Sequence, residues 1–221
     1  MRINAYIALA TGLSRRQADN LIQQRRVSVG PQLAVLGTQV PPDTQVYLDG
    51  KILKLPSSRT VILLNKPVGF VVSRKGQGSK TIYDLLPPDF KELKPVGRLD
   101  KESSGLIMLT NDGKLANSLA HPSMAKQKVY QITLDKPLTP SIKSKINQGV
   151  RLDDGLSHLK IDSLSPDLRS MSVRMSEGRN RQIRRTFASL GYEVIRLHRV
   201  QFGKFNLNNL KDGQWLKLKL K

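Results

Sequence analysis

The order of apolar and polar positions divides this chain into a short helical part and a longer part rich in strands. Residues 3–10 and 14–23 each place apolar side chains on one face at helical spacing. Gly12 separates the two predicted helices. Ser14 and Gln17 form a capping-box pair, which favours the start of the second helix because each side chain can satisfy the other's backbone donor. The pattern predicts two helices close to the N-terminus.

Beyond residue 60 the apolar positions fall in short runs and alternations that are typical of strands. Strands are predicted at 61–64, 70–73, 129–134, 171–175 and 215–220, and helices at 114–120, 140–148 and 181–190. The strands do not alternate regularly with helices. This arrangement favours an α+β domain on a mixed, mainly antiparallel sheet over a doubly wound parallel one.

A short linker separates the two parts. The run Leu55-Pro56-Ser57-Ser58-Arg59 reads as a break, so we predict one domain over residues 1–55 and a second over 60–221. The 37 Lys and Arg residues outnumber the 17 Asp and Glu residues, which gives a net charge of +20. A surplus of this size indicates a polyanionic partner such as nucleic acid, with a solubilising or membrane-surface role as the alternative.

Composition excludes several classes of site. The chain has no cysteine, and its three histidines, His121, His158 and His198, show no ligand spacing, so no metal site is expected. No apolar run approaches the roughly 20 residues that span a bilayer, and the N-terminus does not resemble a signal peptide. We therefore expect a cytoplasmic protein that is not bound to membranes.

The second predicted helix presents basic residues. Arg15 and Arg16 lie in its first turn, where positive charge opposes the helix dipole, and Arg26 follows the helix. These arginines either bind an anionic ligand or form a solvated basic face.

The most informative run is GRLDKESSGLIMLTNDG, from Gly97 to Gly113. It places Asp100 three residues before Ser103-Ser104-Gly105, so the chain can turn tightly behind the carboxylate. A lone aspartate in a loop is most often a turn residue, and Asp112 is predicted to be one, in a hairpin or at the start of a helix. The run resembles the signature of the RNA pseudouridine synthases: Gly-Arg-Leu-Asp, a Ser or Thr, Gly, four apolar residues and Thr-Asn-Asp-Gly.

That resemblance implies that Asp100 is the catalytic residue. Members of the family break the bond between ribose and uracil N1, turn the base and join the ribose to C5. Nothing is oxidised, so no cofactor is expected. A carboxylate suits the reaction because it can attack carbon or stabilise an oxocarbenium ion. Gly97 matches the residue that this position carries in the branch of the family that modifies ribosomal RNA.

Further segments resemble other elements of the family. The run 177–185 implies that Arg184 pairs with the catalytic aspartate, which leaves Arg181 and Arg185 to face solvent or phosphate. Lys126-Gln127-Lys128-Val129-Tyr130 implies that Tyr130 lies against the target base. For each of these arginines the alternative is a surface helix residue, and for Tyr130 it is a half-buried packing residue.

Two more positions follow from the same resemblance. Leu197 matches the apolar residue that lines the uracil pocket, with core packing as its alternative. Arg98 is expected to help extrude the nucleotide, which must leave its stack to reach the carboxylate. The run 66–69 matches another family element and is interpreted as structural, and residues 76–81 are interpreted as a surface loop whose lysines meet RNA.

Residues 1–55 resemble the alpha-L RNA-binding module. The resemblance lies in Ser14-Arg15-Arg16-Gln17-Ala18, Arg26-Val27-Ser28-Val29 and Val46-Tyr47-Leu48-Asp49-Gly50. It implies that Arg15, Arg16 and Arg26 bind RNA. The whole chain is thus expected to be a monomeric ribosomal RNA pseudouridine synthase that acts on free RNA or on assembling ribosomal subunits. The alternative is a non-catalytic RNA-binding assembly factor of the same fold.

Overall fold

A computed structural model describes residues 1–56, 58–120 and 126–218, with the side chain of Ala120 excepted. The chain divides into two compact units, Met1–Arg59 and Thr60–Lys221. Each unit has a hydrophobic core of its own. No helix within the described ranges is both long enough and apolar enough to cross a membrane.

The first unit packs two helices against a small antiparallel sheet with strand order β2-β1-β3-β4. Helix α1 ends at Gly12, whose φ of 75° is readily adopted by glycine. The predicted capping box of Ser14 and Gln17 is confirmed at the start of α2. The elements are α1 (Ile3–Thr11), α2 (Arg15–Gln23), β1 (Val27–Val29), β2 (Gln32–Leu33), β3 (Val46–Leu48) and β4 (Lys51–Ile52).

The second unit is built on one mixed sheet, so the predicted α+β class is confirmed. Its helices are α3 (Gly113–Ala120), α4 (Pro140–Gln148) and α5 (Gln182–Ala188), with short 3₁₀ turns at Ile82–Leu85 and Pro88–Phe90. Its strands are β5 (Val61–Lys66), β6 (Lys94–Val96), β7 (Ser104–Thr110), β8 (Lys128–Leu134), β9 (Val150–Leu152), β10 (Gly155–Ser157), β11 (Lys160–Leu164), β12 (Ser170–Met175), β13 (Val194–Phe202), β14 (Phe205–Asn206) and β15 (Trp215–Lys217).

The sheet runs β11-β12-β8-β13-β7-β5-β15, with β6 paired to β7, β14 paired to β13, and β9 and β10 forming a separate hairpin. Among the described residues, β13 and β7 are the only parallel pair of strands in this sheet, and all its other pairs are antiparallel. Every residue of β5 and β7 is buried. Alternate side chains of these strands belong to two separate core clusters, so both faces of the central sheet are covered.

Two predicted strands need correction. Residues 70–73 form no strand; Val71 makes an isolated bridge to Thr81, because Pro67 and Gly69 (φ 91°) have ended β5 and turned the chain. The predicted strand at 215–220 is found at Trp215–Lys217, and its last two positions lie outside the described residues. Its three residues are all exposed, since it pairs with β5 at the edge of the sheet.

The close approach of two strands explains why residue 105 of the signature run is a glycine. Gly105 lies opposite Arg199 in the parallel pair of β7 and β13 and has a φ of 106°. A Cβ atom at this position would lie 2.3 Å from the carbonyl oxygen of Arg199. Only glycine lets the two central strands approach so closely, and this contact fixes the start of β7 immediately after the loop that carries Asp100.

Candidate active site

A cleft of about 510 Å³ opens in the second unit, beside the start of β7. The loop before β7, strands β8 and β13, and the segment from Met175 to Ile183 form its walls. Four of the predicted site residues line this cleft: Arg98, Asp100, Tyr130 and Leu197. These residues are far apart in sequence, and the sheet brings them together.

Asp100 lies at the end of the loop that leads into the buried central strand. Its side chain is 36% exposed, so the carboxylate reaches the cleft instead of the core. The backbone N–H of Ser103 donates to the carbonyl of Asp100 at 3.1 Å and closes the expected tight turn. The position suits a carboxylate that must meet a ligand from solvent.

Arg181 provides the cation beside Asp100. Its Nη1 lies 3.7 Å from Oδ2 of Asp100 and donates to Oε2 of Glu102 at 2.7 Å. The hydrogen bond with Glu102 raises the pKa of Arg181, and the same bond lowers the pKa of the Glu102 carboxyl. Asp100 and Glu102 thus share one guanidinium.

The predicted partner of Asp100, Arg184, has other hydrogen-bond partners in this structure. The Nη1 of Arg184 donates to the carbonyl of Val194 at 2.5 Å and its Nη2 to the carbonyl of Glu102 at 3.2 Å. Burial lowers the pKa of Arg184. The backbone explains the difference: Arg181 has a left-handed φ of 45° just before α5, whereas Arg184 lies on the helix itself.

Arg185 was predicted to face solvent or phosphate. Its guanidinium instead donates to Oδ2 of Asp154 at 2.6 Å and to the carbonyl of Asn180 at 2.9 Å. The hydrogen bond to Asp154 raises the pKa of Arg185. Arg185 therefore braces the start of α5 and is not among the residues that line the cleft.

Tyr130 and Leu197 come from neighbouring strands and face the same side of the sheet. Tyr130 pairs with Arg199 in the register of β8 and β13, and Leu197 pairs with Ile132 two positions further. Tyr130 and Leu197 are each 7% exposed and border the cleft. Arg98 is exposed at its rim. An aromatic ring and a branched aliphatic side chain side by side can hold a flat base.

Lys66 was interpreted as structural from the sequence, and the structure places it directly behind Asp100. It is fully buried at the end of β5, where Nζ donates to the carbonyls of Ser103 at 2.6 Å and Pro67 at 2.9 Å. Burial lowers the pKa of Lys66 to about 8, against the opposing effect of Asp100 and Glu102. The sequence signal was a lysine that directly continues an apolar strand.

Lys128 and Arg199 also line the cleft and were not singled out in the sequence. Lys128 precedes Tyr130 by two positions on β8, and Arg199 follows Leu197 by two on β13. Residues two apart on a strand share a face, so this spacing was the available signal. Burial, and then the charge of Arg199, lower the pKa of Lys128.

In the first unit, Arg15 and Arg16 are exposed as expected. Arg26 is exposed as well, and it makes a two-point ion pair with Asp49 at 2.9 and 2.6 Å. That hydrogen bonding lowers the pKa of Asp49 and raises that of Arg26. The pair joins the end of α2 to the turn after β3.

Asp112 and His198 have structural partners. Asp112 accepts from the backbone N–H groups of Lys114 and Leu115 at 2.9 and 3.1 Å, which confirms it as a helix-start residue. His198 shares a buried hydrogen bond of 2.8 Å with Ser104, and His121 lies outside the described residues. No cluster of three potential metal ligands occurs among the side chains that the structure describes.

Comparison with known proteins gives one consistent family. The model of the RNA pseudouridylate synthase family matches residues 60–189. The dual-specificity RNA pseudouridine synthase RluF of Escherichia coli K12 is 34% identical, and the match covers 97% of this chain and 74% of that protein. Ribosomal large subunit pseudouridine synthase B of Bacillus subtilis is also 34% identical, over 96% of this chain and 89% of that protein. A crystal structure of a pseudouridylate synthase superposes with a TM-score of 0.72 at 29% identity, covering 99% and 96% of the two chains.

Proposed function

This chain belongs to the RNA pseudouridylate synthase family, and we propose that it isomerises uridine in ribosomal RNA with Asp100 as the catalytic residue. The observation that carries the assignment is the position of the Asp100 carboxylate, which borders a cleft shared with Tyr130 and Leu197. The names of the two relatives with 34% identity support RNA, and for the Bacillus subtilis protein ribosomal RNA, as the substrate.

The reaction assigns a separate task to each residue of the cleft. Asp100 attacks the ribose or stabilises its oxocarbenium ion as the bond to uracil N1 breaks. Tyr130 and Leu197 retain the freed uracil while it turns. C5 then bonds to C1′ of the ribose and displaces the carboxylate where Asp100 has added. C5 loses its proton and N1 gains one, so atoms and electrons balance without an external oxidant or reductant. Arg98, exposed at the rim, helps hold the nucleotide outside its stack.

The Arg181 guanidinium supports this chemistry electrostatically. It lies 3.7 Å from the carboxylate and offsets the cost of holding a negative charge in a partly enclosed cleft. Arg184, whose guanidinium is bound to the carbonyls of Val194 and Glu102, instead positions the segment that carries Arg181. The family resemblance implied that Arg184 pairs with Asp100; we propose that it acts indirectly.

The direct test replaces the carboxylate. Asp100→Asn should abolish pseudouridine formation while RNA affinity changes little, because binding is spread over many cations. Tritium release from ribosomal RNA labelled at uracil C5 measures turnover, and a filter-binding assay measures affinity. Asp112→Asn is the matched control, because asparagine also caps helices and this residue lies outside the cleft. Substantial turnover by Asp100→Asn would refute the assignment, and inactivity of the wild type on both ribosomal RNAs would favour a non-catalytic assembly factor.

The first unit is proposed to be an alpha-L RNA-binding module that supplies affinity and choice of site. Its exposed Arg15 and Arg16 support this role, and Arg26 contributes less because Asp49 already neutralises it. We further propose that the protein acts as a monomer in the cytoplasm, on ribosomal RNA that is free or within assembling subunits. Pseudouridine mapping of both ribosomal RNAs, from cells with and without the gene, would identify the target.

A further inference from the structure

Two cations of the cleft have no anionic partner. Lys128 and Arg199 lie on the neighbouring strands β8 and β13, and neither forms a salt bridge with any carboxylate in the described part of the chain. Lys128 donates only to a backbone carbonyl, that of Glu177, at 3.0 Å. The carboxylate of Glu177 is itself bound to Arg179 at 3.5 Å. Buried charges are normally paired, so the buried Arg199, with the half-buried Lys128, indicates a missing anion.

Arg199 shows where the missing acceptor would be. Its side chain is 2% exposed, and its Nε donates to the carbonyl of Leu106 at 2.7 Å. Its Nη2 is buried without a hydrogen-bond partner among the described residues, although the residue borders the cleft. Because buried donors are nearly always satisfied, an unsatisfied one on a cleft wall marks a place where a ligand accepts.

The ring of Phe202 contacts both cations. The guanidinium carbon of Arg199 lies 5.1 Å from the ring centroid, and Nζ of Lys128 lies 5.7 Å from it. Burial and the charge of Arg199 both disfavour the charged form of Lys128 and lower its pKa, against the smaller opposing effect of Glu177. An anion between the two groups would remove this repulsion. Gly178 leaves room beside Lys128, since a Cβ there would lie 3.5 Å from Nζ.

We propose that Lys128 and Arg199 together bind one phosphate of the RNA strand, in the phosphodiester backbone next to the uridine that occupies the cleft. This inference rests on the proposed function, because RNA is the polyanion that the function supplies. A phosphate carries the charge that two cations require and has several oxygens that can accept from both. A uracil carbonyl could accept from Nη2 but would leave the two positive charges uncompensated.

The test measures how RNA affinity depends on salt. The probe is a fluorescein-labelled single-stranded oligouridylate, and the full-length chain is titrated over a salt series by fluorescence anisotropy. One phosphate contact contributes about 0.7 to the slope of log affinity against log salt for a single strand, or roughly fivefold in affinity at 0.1 M salt. The double variant Lys128→Met/Arg199→Met should therefore lose about 0.7 in total, because its two cations share one phosphate.

Lys128→Met alone should lower the slope by part of that amount. Methionine keeps an apolar side chain of similar length in the wall of the cleft. Lys145→Met, at an exposed lysine in the last turn of α4 that does not line the cleft, should leave the slope unchanged. A slope unchanged in both cleft variants would overturn the site. A loss of about 1.4 in the double variant would mean two separate phosphates and would overturn the shared one.

Pseudouridine formation by the wild-type chain is measured in parallel on ribosomal RNA. This measurement distinguishes failure of the proposed function from failure of the proposed phosphate site. Normal turnover with an unchanged slope in the variants would reject the phosphate site and leave the proposed function intact. No turnover with a reduced slope would reject the proposed function and leave a phosphate-binding cleft. Arg199→Lys checks folding, because it keeps the charge and should retain most of the slope.

Discussion

The guanidinium of Arg181 lies 3.7 Å from the carboxylate of Asp100, in a segment where sequence comparison pointed to Arg184 as the partner. Arg181 is 43% exposed, and its shorter contact, 2.7 Å, is to Glu102. Arg184 is held by two backbone carbonyls and does not border the cleft. The structure thus separates Arg181, which borders the cleft beside Asp100, from Arg184, whose hydrogen-bond partners are backbone carbonyls.

This separation predicts different effects for the arginines of α5. Arg181→Gln should lower the single-turnover rate at saturating RNA by about tenfold or more, because it removes the positive charge beside the reacting carboxylate. Arg184→Gln should instead lower the free energy of unfolding by about 1–3 kcal/mol, since two backbone carbonyls lose a charged donor. Quench-flow kinetics and urea unfolding measure the two quantities.

Arg185→Gln serves as the matched control, because Arg185 pairs with Asp154 away from the cleft and should leave the saturated rate near that of the wild type. If Arg184→Gln reduced the rate without loss of stability, and Arg181→Gln had no effect on the rate, the pairing inferred from the sequence would be restored.

Elements with strong local signals were predictable from the sequence. The capping box of Ser14 and Gln17, the proline and glycine around α4, and the alternation of β8 and β12 each gave the observed element. In these segments local preference and tertiary packing agree, so the pattern alone is sufficient. The meeting of Asp100 with Tyr130 and Leu197 was inferred from family resemblance, because no local pattern reports which strands become neighbours.

The remaining features depend on backbone geometry and burial that no residue pattern carries. The left-handed conformation of Arg181 decides which arginine reaches Asp100, and an arginine is an unusual residue for it. The apolar run after Gly69 was predicted to be a strand, but it makes only an isolated bridge, from Val71 to Thr81. The orphaned Nη2 of Arg199 follows from the closeness of β7 and β13, which the sequence indicates only through Gly105.

Buried Lys66 predicts a specific dependence of stability on pH. Its pKa is lowered to about 8 in the folded protein, whereas that of a lysine in the unfolded chain is about 10.4. Between these values the unfolded state binds more protons, so the contribution of Lys66 to stability rises with pH and is least favourable below pH 8. From pH 7 to 9.5 the gain should be about 2 kcal/mol relative to a chain without this lysine.

The measurement is the free energy of unfolding of the wild type and Lys66→Met at both pH values. Other titrating groups are common to both proteins, so their difference isolates Lys66. A difference that stays constant with pH would show that Lys66 remains charged with an ordinary pKa, through its hydrogen bonds to Ser103 and Pro67 and the nearby Asp100.

The last prediction concerns the basic residues of the first unit. Arg15 and Arg16 are exposed, whereas Arg26 is bound at two points by Asp49. Replacing Arg15 and Arg16 together with Gln should flatten the salt dependence of RNA affinity by about 1.4, or about 0.7 for each phosphate of single-stranded RNA that the variant no longer neutralises. Arg26→Gln should flatten it by less than about 0.7, because the charge of Arg26 is already neutralised. Saturated single-turnover rates should stay near the wild-type value, since Asp100, Tyr130 and Arg181 belong to the second unit. Affinity over a salt series and the rate at saturating enzyme test both statements.

An unchanged slope in the double variant would make Arg15 and Arg16 a solvated basic face. A collapsed saturated rate would mean that the first unit takes part in assembling the active site.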